Sequence, residues 1–322
     1  MILDIHADIF TDIFNKGIRG ESDIIKRYHL SKFNKGGTNG GIFVFWLDPK
    51  YNDYENLKTM MDYADREIEI AKDFLCVAKN YNEYYDALKS GKITVMMNLE
   101  GAKSIDDDIN RVDEIYEYGI RFLSLTWNEE NKLATGVKSL SDSGLKERGK
   151  DFLKRIQNRG IVVDVSHASD KTFFDIVKHT KKPIIASHSN CRKLCNEKRN
   201  LLDDQIKLIK ETGGIIGVNA YRDFIHVDRE KQDATHLVNH IDHMVDLIGI
   251  DSVCFGLDYC DYIDDQLRSD LDTADVNKNG LYDVSRTQEI VVKLKSRGYS
   301  QNDIEKISYK NFLKFIKDNI NS

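Results

Sequence analysis

Proline is almost absent from this chain of 322 residues: there are two, and no Pro/Gly/Ser-rich stretch divides the sequence. Without a linker, one domain over residues 1–322 is the economical expectation, within the roughly 200 to over 400 residues of (β/α)8 barrels. Long hydrophobic runs are lacking as well. No stretch approaches about 18 apolar residues and no basic segment precedes the first apolar run, so neither a membrane span nor a secretion signal is expected. Cysteine is sparse and odd in number. Cys76, Cys191, Cys195, Cys254 and Cys260 do not suit a disulfide framework and fit free thiols in a reducing cytoplasm; Cys191 and Cys195 lack a second cluster to complete a zinc knuckle. Charge of one sign is nowhere concentrated either. The net charge of -6 is spread along the chain without a basic stripe, which argues against nucleic acid or an anionic membrane as partner.

What the sequence does contain is alternation. Eight short runs rich in Val, Ile and Phe recur between longer amphipathic stretches: Ile2–His6, Gly41–Leu47, Ile93–Leu99, Ile120–Thr126, Ile161–Ser166, Pro183–Ser187, Gly214–Asn219 and Ser252–Leu257. Continuous apolar runs of this length read as parallel strands buried on both faces and joined by crossover helices. Helices are expected at Glu55–Lys79, Asp107–Tyr118, Gly144–Asn158, Lys171–Thr180, Asp203–Glu211, Thr235–Ile248, Arg286–Ser296 and Asn302–Asp318. The fold class is therefore α/β, a (β/α)8 TIM barrel. The polar segment Asn15–Asn39 is expected to be a loop reaching over the barrel mouth.

Active sites of such barrels form at the C-terminal ends of the strands. There the sequence places His6 and Asp8, Glu100, His167, His188 and Asp258, at the ends of the first, third, fifth, sixth and eighth runs. Three imidazoles and three carboxylates suit Zn²⁺, Mn²⁺ or Co²⁺ better than a thiolate site would. Six ligands exceed one tetrahedral ion and suit a two-metal hydrolase with a bridging carboxylate and hydroxide. Each residue alone is weak evidence, since a single His at a strand end is more often a structural histidine and a single acid more often a cap. The coincidence on one rim carries the reading. His29, His179, His226, His236, His240 and His243 share no such register; His236 and His240 lie four apart without the Glu of a His-Glu-x-x-His motif and read as a solvated or packing face. Asp275, Asn277, Asn279 and Gly280 match half of a calcium loop, but Arg286 stands where the bidentate Glu belongs, so a polar turn is expected.

The motifs Asp4-Ile5-His6-Ala7-Asp8, Asn98-Leu99-Glu100-Gly101, Leu125-Thr126-Trp127-Asn128, Val163-Asp164-Val165-Ser166-His167, Ser187-His188-Ser189-Asn190, Lys198-Arg199-Asn200 and Gly256-Leu257-Asp258 together resemble the membrane (renal) dipeptidase family of zinc metallopeptidases. The resemblance runs along nearly the whole chain. It implies that His6 and Asp8 hold one metal, that Glu100 bridges, that His167 and His188 hold the second, and that Asp258 contacts the catalytic water and carries its proton. It further implies that Arg199 binds the substrate carboxylate or polarised carbonyl, that Trp127, Asn128 and Tyr221 line the pocket, that the substrate is a small dipeptide, and that the chain forms a homodimer. One departure bears on specificity: many family members carry a substrate-contacting His where Trp127 stands. The alternatives are an amidohydrolase acting on N-acyl amino acids or lactams, and a barrel that binds metal or peptide without turnover; an intact Asp258 speaks against the last.

Overall fold

The computed structural model describes residues 1–262 and 281–320. The half calcium motif at Asp275–Gly280 lies outside them. Among the described residues nine parallel strands form in chain order: β1 (Ile2–Ala7), β2 (Thr38–Trp46), β3 (Leu75–Val77), β4 (Ile93–Glu100), β5 (Ile120–Ser124), β6 (Val162–Asp164), β7 (Ile184–Ile185), β8 (Ile216–Val218) and β9 (Val253–Phe255). Eight of them run in the order β7-β6-β5-β4-β2-β1-β9-β8. A bridge between Ala186 and Ile216 joins the two ends and closes the barrel.

Alternation along each strand sorts the side chains into two layers. Leu3, Ile5, Ile42, Val44, Met96, Phe122, Ile185 and Cys254 fill the interior, where they meet Phe312, Phe315 and Ile316 of the helix Asn311–Asn319. Asn311 of that helix donates to the carbonyls of Ile250 and Val253, at the start of β9. The last helix therefore plugs the N-terminal end and leaves only the opposite end open for chemistry. Outward neighbours such as Ile2, Phe43, Val95, Leu123 and Val163 pack under the surrounding helices.

Closure demands close approach at one point. A Cβ on Gly256 or Gly217 would stand 1.7 or 2.0 Å from the carbonyl oxygen of Ser187, inside any allowed contact, so only glycine lets β8 and β9 reach the chain that follows β7.

Two expectations are corrected. The helix expected over Glu55–Lys79 stops at Ala71, having begun at Tyr54; Leu75–Val77 is a strand, and a further helix, Tyr81–Lys89, follows. Leu75, Cys76 and Val77 pair with Ile93, Thr94 and Val95, an edge that β5 leaves free because it meets β4 only from Met97 onward. Nor is Asn15–Asn39 a loop over the mouth. It holds the end of the helix Ile9–Gly17, a π-helical turn Ile25–His29 and the helix Leu30–Gly36, and none of it lines the cavity at the mouth. Glu67 fixes this segment from outside the barrel by accepting the N–H groups of Asp23 and Ile24, each at 2.7 Å, while His29 pairs with Asp12 at 2.7 Å.

Candidate metal and active site

At the open end of the barrel lies a cavity of about 790 Å³, lined by Asp8, Glu100, His167, His188 and Asp258 on the barrel side. Trp46, Trp127, Asn128, Lys138, Glu197, Arg199, Tyr221, Asp223, Phe224 and Cys260 complete the wall. A concave wall of aromatic rings with a few convergent polar groups is the make-up of a small-molecule site. Each acid or imidazole arrives from a strand end: His6 from the last turn of β1, Glu100 from the end of β4, His167 and His188 three residues past β6 and β7, and Asp258 three past β9. Asp258 has φ +52°, a left-handed conformation that Asp tolerates better than most residues but that costs energy without Gly.

Ligand atoms gather into two trios with one shared member. Glu100, His167 and His188 form one; His6, Asp8 and Glu100 form the other. Glu100 Oε1 lies 2.6 Å from His167 Nε2, 3.4 Å from His188 Nε2 and 3.8 Å from His6 Nε2, and Asp8 Oδ2 lies 3.9 Å from His6 Nε2. The hydrogen bonds behind these rings decide where the protons are. His167 Nδ1 lies 2.9 Å from Asn128 Oδ1, which can only accept, so Nδ1 carries the hydrogen. Ser187 donates its single hydroxyl proton to Asp164 Oδ2, so His6 Nδ1 at 3.0 Å and His188 Nδ1 at 2.8 Å must donate to it. All three Nε2 atoms therefore carry lone pairs that face Glu100, and that of His167 also lies 3.0 Å from His188 Nε2.

Lone pairs and carboxylates packed this closely repel one another unless a proton or a cation joins them. His6 Nε2, Asp8 Oδ1 and Glu100 Oε1 are buried with no hydrogen-bond partner. Burial, reinforced by the neighbouring carboxylates, pushes Asp8 and Glu100 well above the usual acid range. Burial likewise takes His6 down to about 3 and Asp258 up to about 6. Neutral imidazoles and crowded carboxylates are what divalent ions need, so the residues present fit divalent metal ions. Asp164 also falls within reach of His6 and His188, but Ser187 occupies the space between them, which makes it a support for the rings.

The remaining residues take distinct places. Asp258 stands outside both trios, its Oδ2 accepting from Asn219 Nδ2 at 3.1 Å. Arg199 is buried, donates to the carbonyl of Ser166, and holds Nη2 3.3 Å from His167 Nε2. Burial lowers its pKa against the opposing pull of Glu100 and Asp258. Trp127 is half-buried in the cavity wall, its ring 5.1 Å from Trp46 and 5.9 Å from His167. Tyr221 stacks near Phe224 at 4.7 Å. Asn128 both lines the wall and orients His167. Sequence reasoning gave no role to Asp164, Ser187, Asn219, Trp46 or Cys260. The available signal was a polar residue interrupting an apolar run, as Asp164 and Ser187 do.

The family model for membrane dipeptidases, peptidase family M19, matches residues 1–321. The chain belongs to this family. An uncharacterised dipeptidase of Schizosaccharomyces pombe is 26% identical over 305 residues, 90% of this chain and 70% of that protein. The barrel superposes on a metallopeptidase of Rhodobacter sphaeroides bound to a phosphinate mimic of L-Ala-D-Ala, with TM-score 0.85 and 20% identity over 99% of each chain. It also superposes on the M19 metallopeptidase dipeptidase AC, with TM-score 0.86 and 21% identity over 100% of this chain and 99% of the other. These likenesses establish a TIM-barrel fold of the dipeptidase type. Among the described residues no helix is long and apolar enough to cross a membrane.

Proposed function

We propose that this chain, a metal-dependent dipeptidase by family, binds two divalent ions through the two trios that share Glu100 and cleaves the peptide bond of small dipeptides. The observation that carries this reading is the convergence of three bare Nε2 atoms on one buried carboxylate at the floor of a dipeptide-sized cavity. His6, Asp8 and Glu100 would hold one ion; Glu100, His167 and His188 the other. Divalent ions bound there supply Lewis acidity and lower the pKa of water toward neutrality. Zn²⁺ suits the mixed imidazole and carboxylate set, with Mn²⁺ and Co²⁺ as substitutes.

The rest follows from the chain's own groups. Asp258, held on one oxygen by Asn219, takes a proton from the attacking water and delivers it to the leaving amine. Arg199, fixed by Ser166, presents its guanidinium to the substrate carboxylate. Trp127 and Trp46, paired in the cavity wall, exclude water and offer an apolar surface to a substrate side chain. The phosphinate held by the Rhodobacter sphaeroides relative mimics L-Ala-D-Ala, so dipeptides with a D-residue at the C-terminal side belong in the first panel. We further propose one barrel domain over residues 1–322, a homodimer, and a cytoplasmic location; five free cysteines support a reducing compartment.

The test is metal analysis of the purified protein with a panel of L,L- and L,D-dipeptides, N-acyl amino acids and lactams, before and after chelation. Two metals per chain, turnover of dipeptides, and loss on chelation with recovery on adding Zn²⁺ or Mn²⁺ are expected. Turnover confined to acyl amino acids or lactams would replace dipeptidase with amidohydrolase activity, and turnover without metal would overturn the mechanism.

A further inference from the structure

Ser187 makes contacts that no single histidine requires. Its hydroxyl lies 3.0 Å from Nδ1 of His6 and 2.8 Å from Nδ1 of His188, and its proton goes to Asp164. His6 belongs to one ligand trio and His188 to the other, so one oxygen supports a ring from each. A hydroxyl has one donor and two lone pairs. All three are in use, and Ser166 Oγ is a further, longer contact at 3.3 Å. Asp164 is in turn fully engaged: its Oδ1 accepts from Ser166 N at 3.1 Å, Ser166 Oγ at 2.7 Å and Ser187 N at 3.0 Å, and Asn98 Nδ2 reaches Oδ2 at 3.4 Å. Ser187 is fully buried, and its backbone is packed closely against Gly217 and Gly256.

His167 is held differently. Its Nδ1 donates to Asn128, a partner shared with no other ligand. The two metal positions are thus joined twice, by Glu100 on the metal side and by Ser187 behind the rings. We infer that Ser187 is a positioning residue for both metal sites at once, setting the tautomer and orientation of His6 and His188 together, whereas Asn128 serves one site only. The inference rests on the two-metal reading above. Partners behind ligating histidines are typically worth about 10- to 100-fold in metal affinity. Loss of Ser187 therefore weakens both sites by a factor of that order, and loss of Asn128 weakens one.

The experiment is competition of the metal-loaded protein against a chromophoric chelator, resolving the two dissociation constants in the native protein, Ser187→Ala, Ser187→Cys and Asn128→Ala, with Tm recorded for each metal-free protein. Expected are two sites in the native protein, both weakened about 10- to 100-fold in Ser187→Ala, one weakened in Asn128→Ala, and partial recovery of both in Ser187→Cys, whose sulfur is a weaker acceptor. Where Ser187→Ala does not fold, Ser187→Cys alone decides, because a thiol in that place must lower both affinities together. Ser187 variants that fold and weaken only one site, or neither, overturn the inference while leaving two metals in place. A native protein that binds a single metal overturns the two-metal reading and this inference with it.

Discussion

Asp258 is the residue whose chemistry is most exposed to test. It faces the cavity outside both trios, and Asn219 occupies one of its oxygens. As a proton carrier, Asp258→Asn should keep both metals and lose about 10²- to 10⁴-fold in kcat; loss of a metal along with the rate would make it a ligand. Trp127 invites a different measurement. An indole gives one N–H donor and a broad apolar face, where a histidine would offer a second polar atom and a charge. The ratio of kcat/KM for an apolar over a small polar dipeptide should fall about tenfold or more in Trp127→His and little in Trp127→Phe. An unchanged ratio in both variants, with normal metal content, would mean that the ring only packs against Trp46.

Elements differ in how far the sequence discloses them. His6, Asp8, Glu100, His167, His188 and Asp258 were legible because a polar ligand at the end of an apolar run stands out and the barrel fixes which end matters. Asp164 and Ser187 were not. Their partners lie in neighbouring strands, and only the register that sets Asp164 opposite Ile185 brings them together. The strand β3 was hidden because three residues cannot display a period. Residues 15–39 read as a loop because polar residues dominate them, although Ile25, His29 and Phe33 keep a four-residue spacing through the π-helical turn Ile25–His29. What holds that segment is also nonlocal: Glu67 caps it from the helix Tyr54–Ala71. Glu67→Ala should leave one buried and one part-buried N–H group unpaired and cost about 1–3 kcal/mol in denaturant unfolding, with metal content unchanged. A cost below about 0.5 kcal/mol, the level of ordinary surface changes, would show that the segment is held by Ile24, Ile25 and Phe33 alone.

For the whole molecule, buried neutral histidines set an acid limit. His240 belongs to neither metal trio, with Nδ1 accepting from Cys191 N at 3.1 Å and Nε2 donating to the Ile225 carbonyl at 2.9 Å. Burial takes it from 6.5 to about 4. The unfolded chain therefore binds a proton that the folded chain refuses between those values, and stability falls as pH drops from about 6.5 to about 4, by on the order of 3 kcal/mol from this residue. His6 acts in the same direction. Urea midpoints of the metal-free protein at pH 7 and pH 4.5 should differ less in His240→Gln than in the native chain; an equal difference would remove His240 from the acid limit. The barrel seam adds a constraint of another kind. β7 and β8 meet through one bridge at Ala186 and Ile216, immediately before Ser187 and His188, where two glycines give the chain its room. An ion held by His188 with Glu100 and His167 would tie β7 to β6 and β4, and so fix one side of the joint at which the barrel would part. Every increment of binding free energy there is also resistance to opening, about 2.7 kcal/mol when free metal is a hundredfold above its Kd. The amides of Ala186 and Gly217, which carry the joint's hydrogen bonds, should gain protection from solvent exchange on metal loading more than those at the β2–β4 pairing on the far side of the barrel.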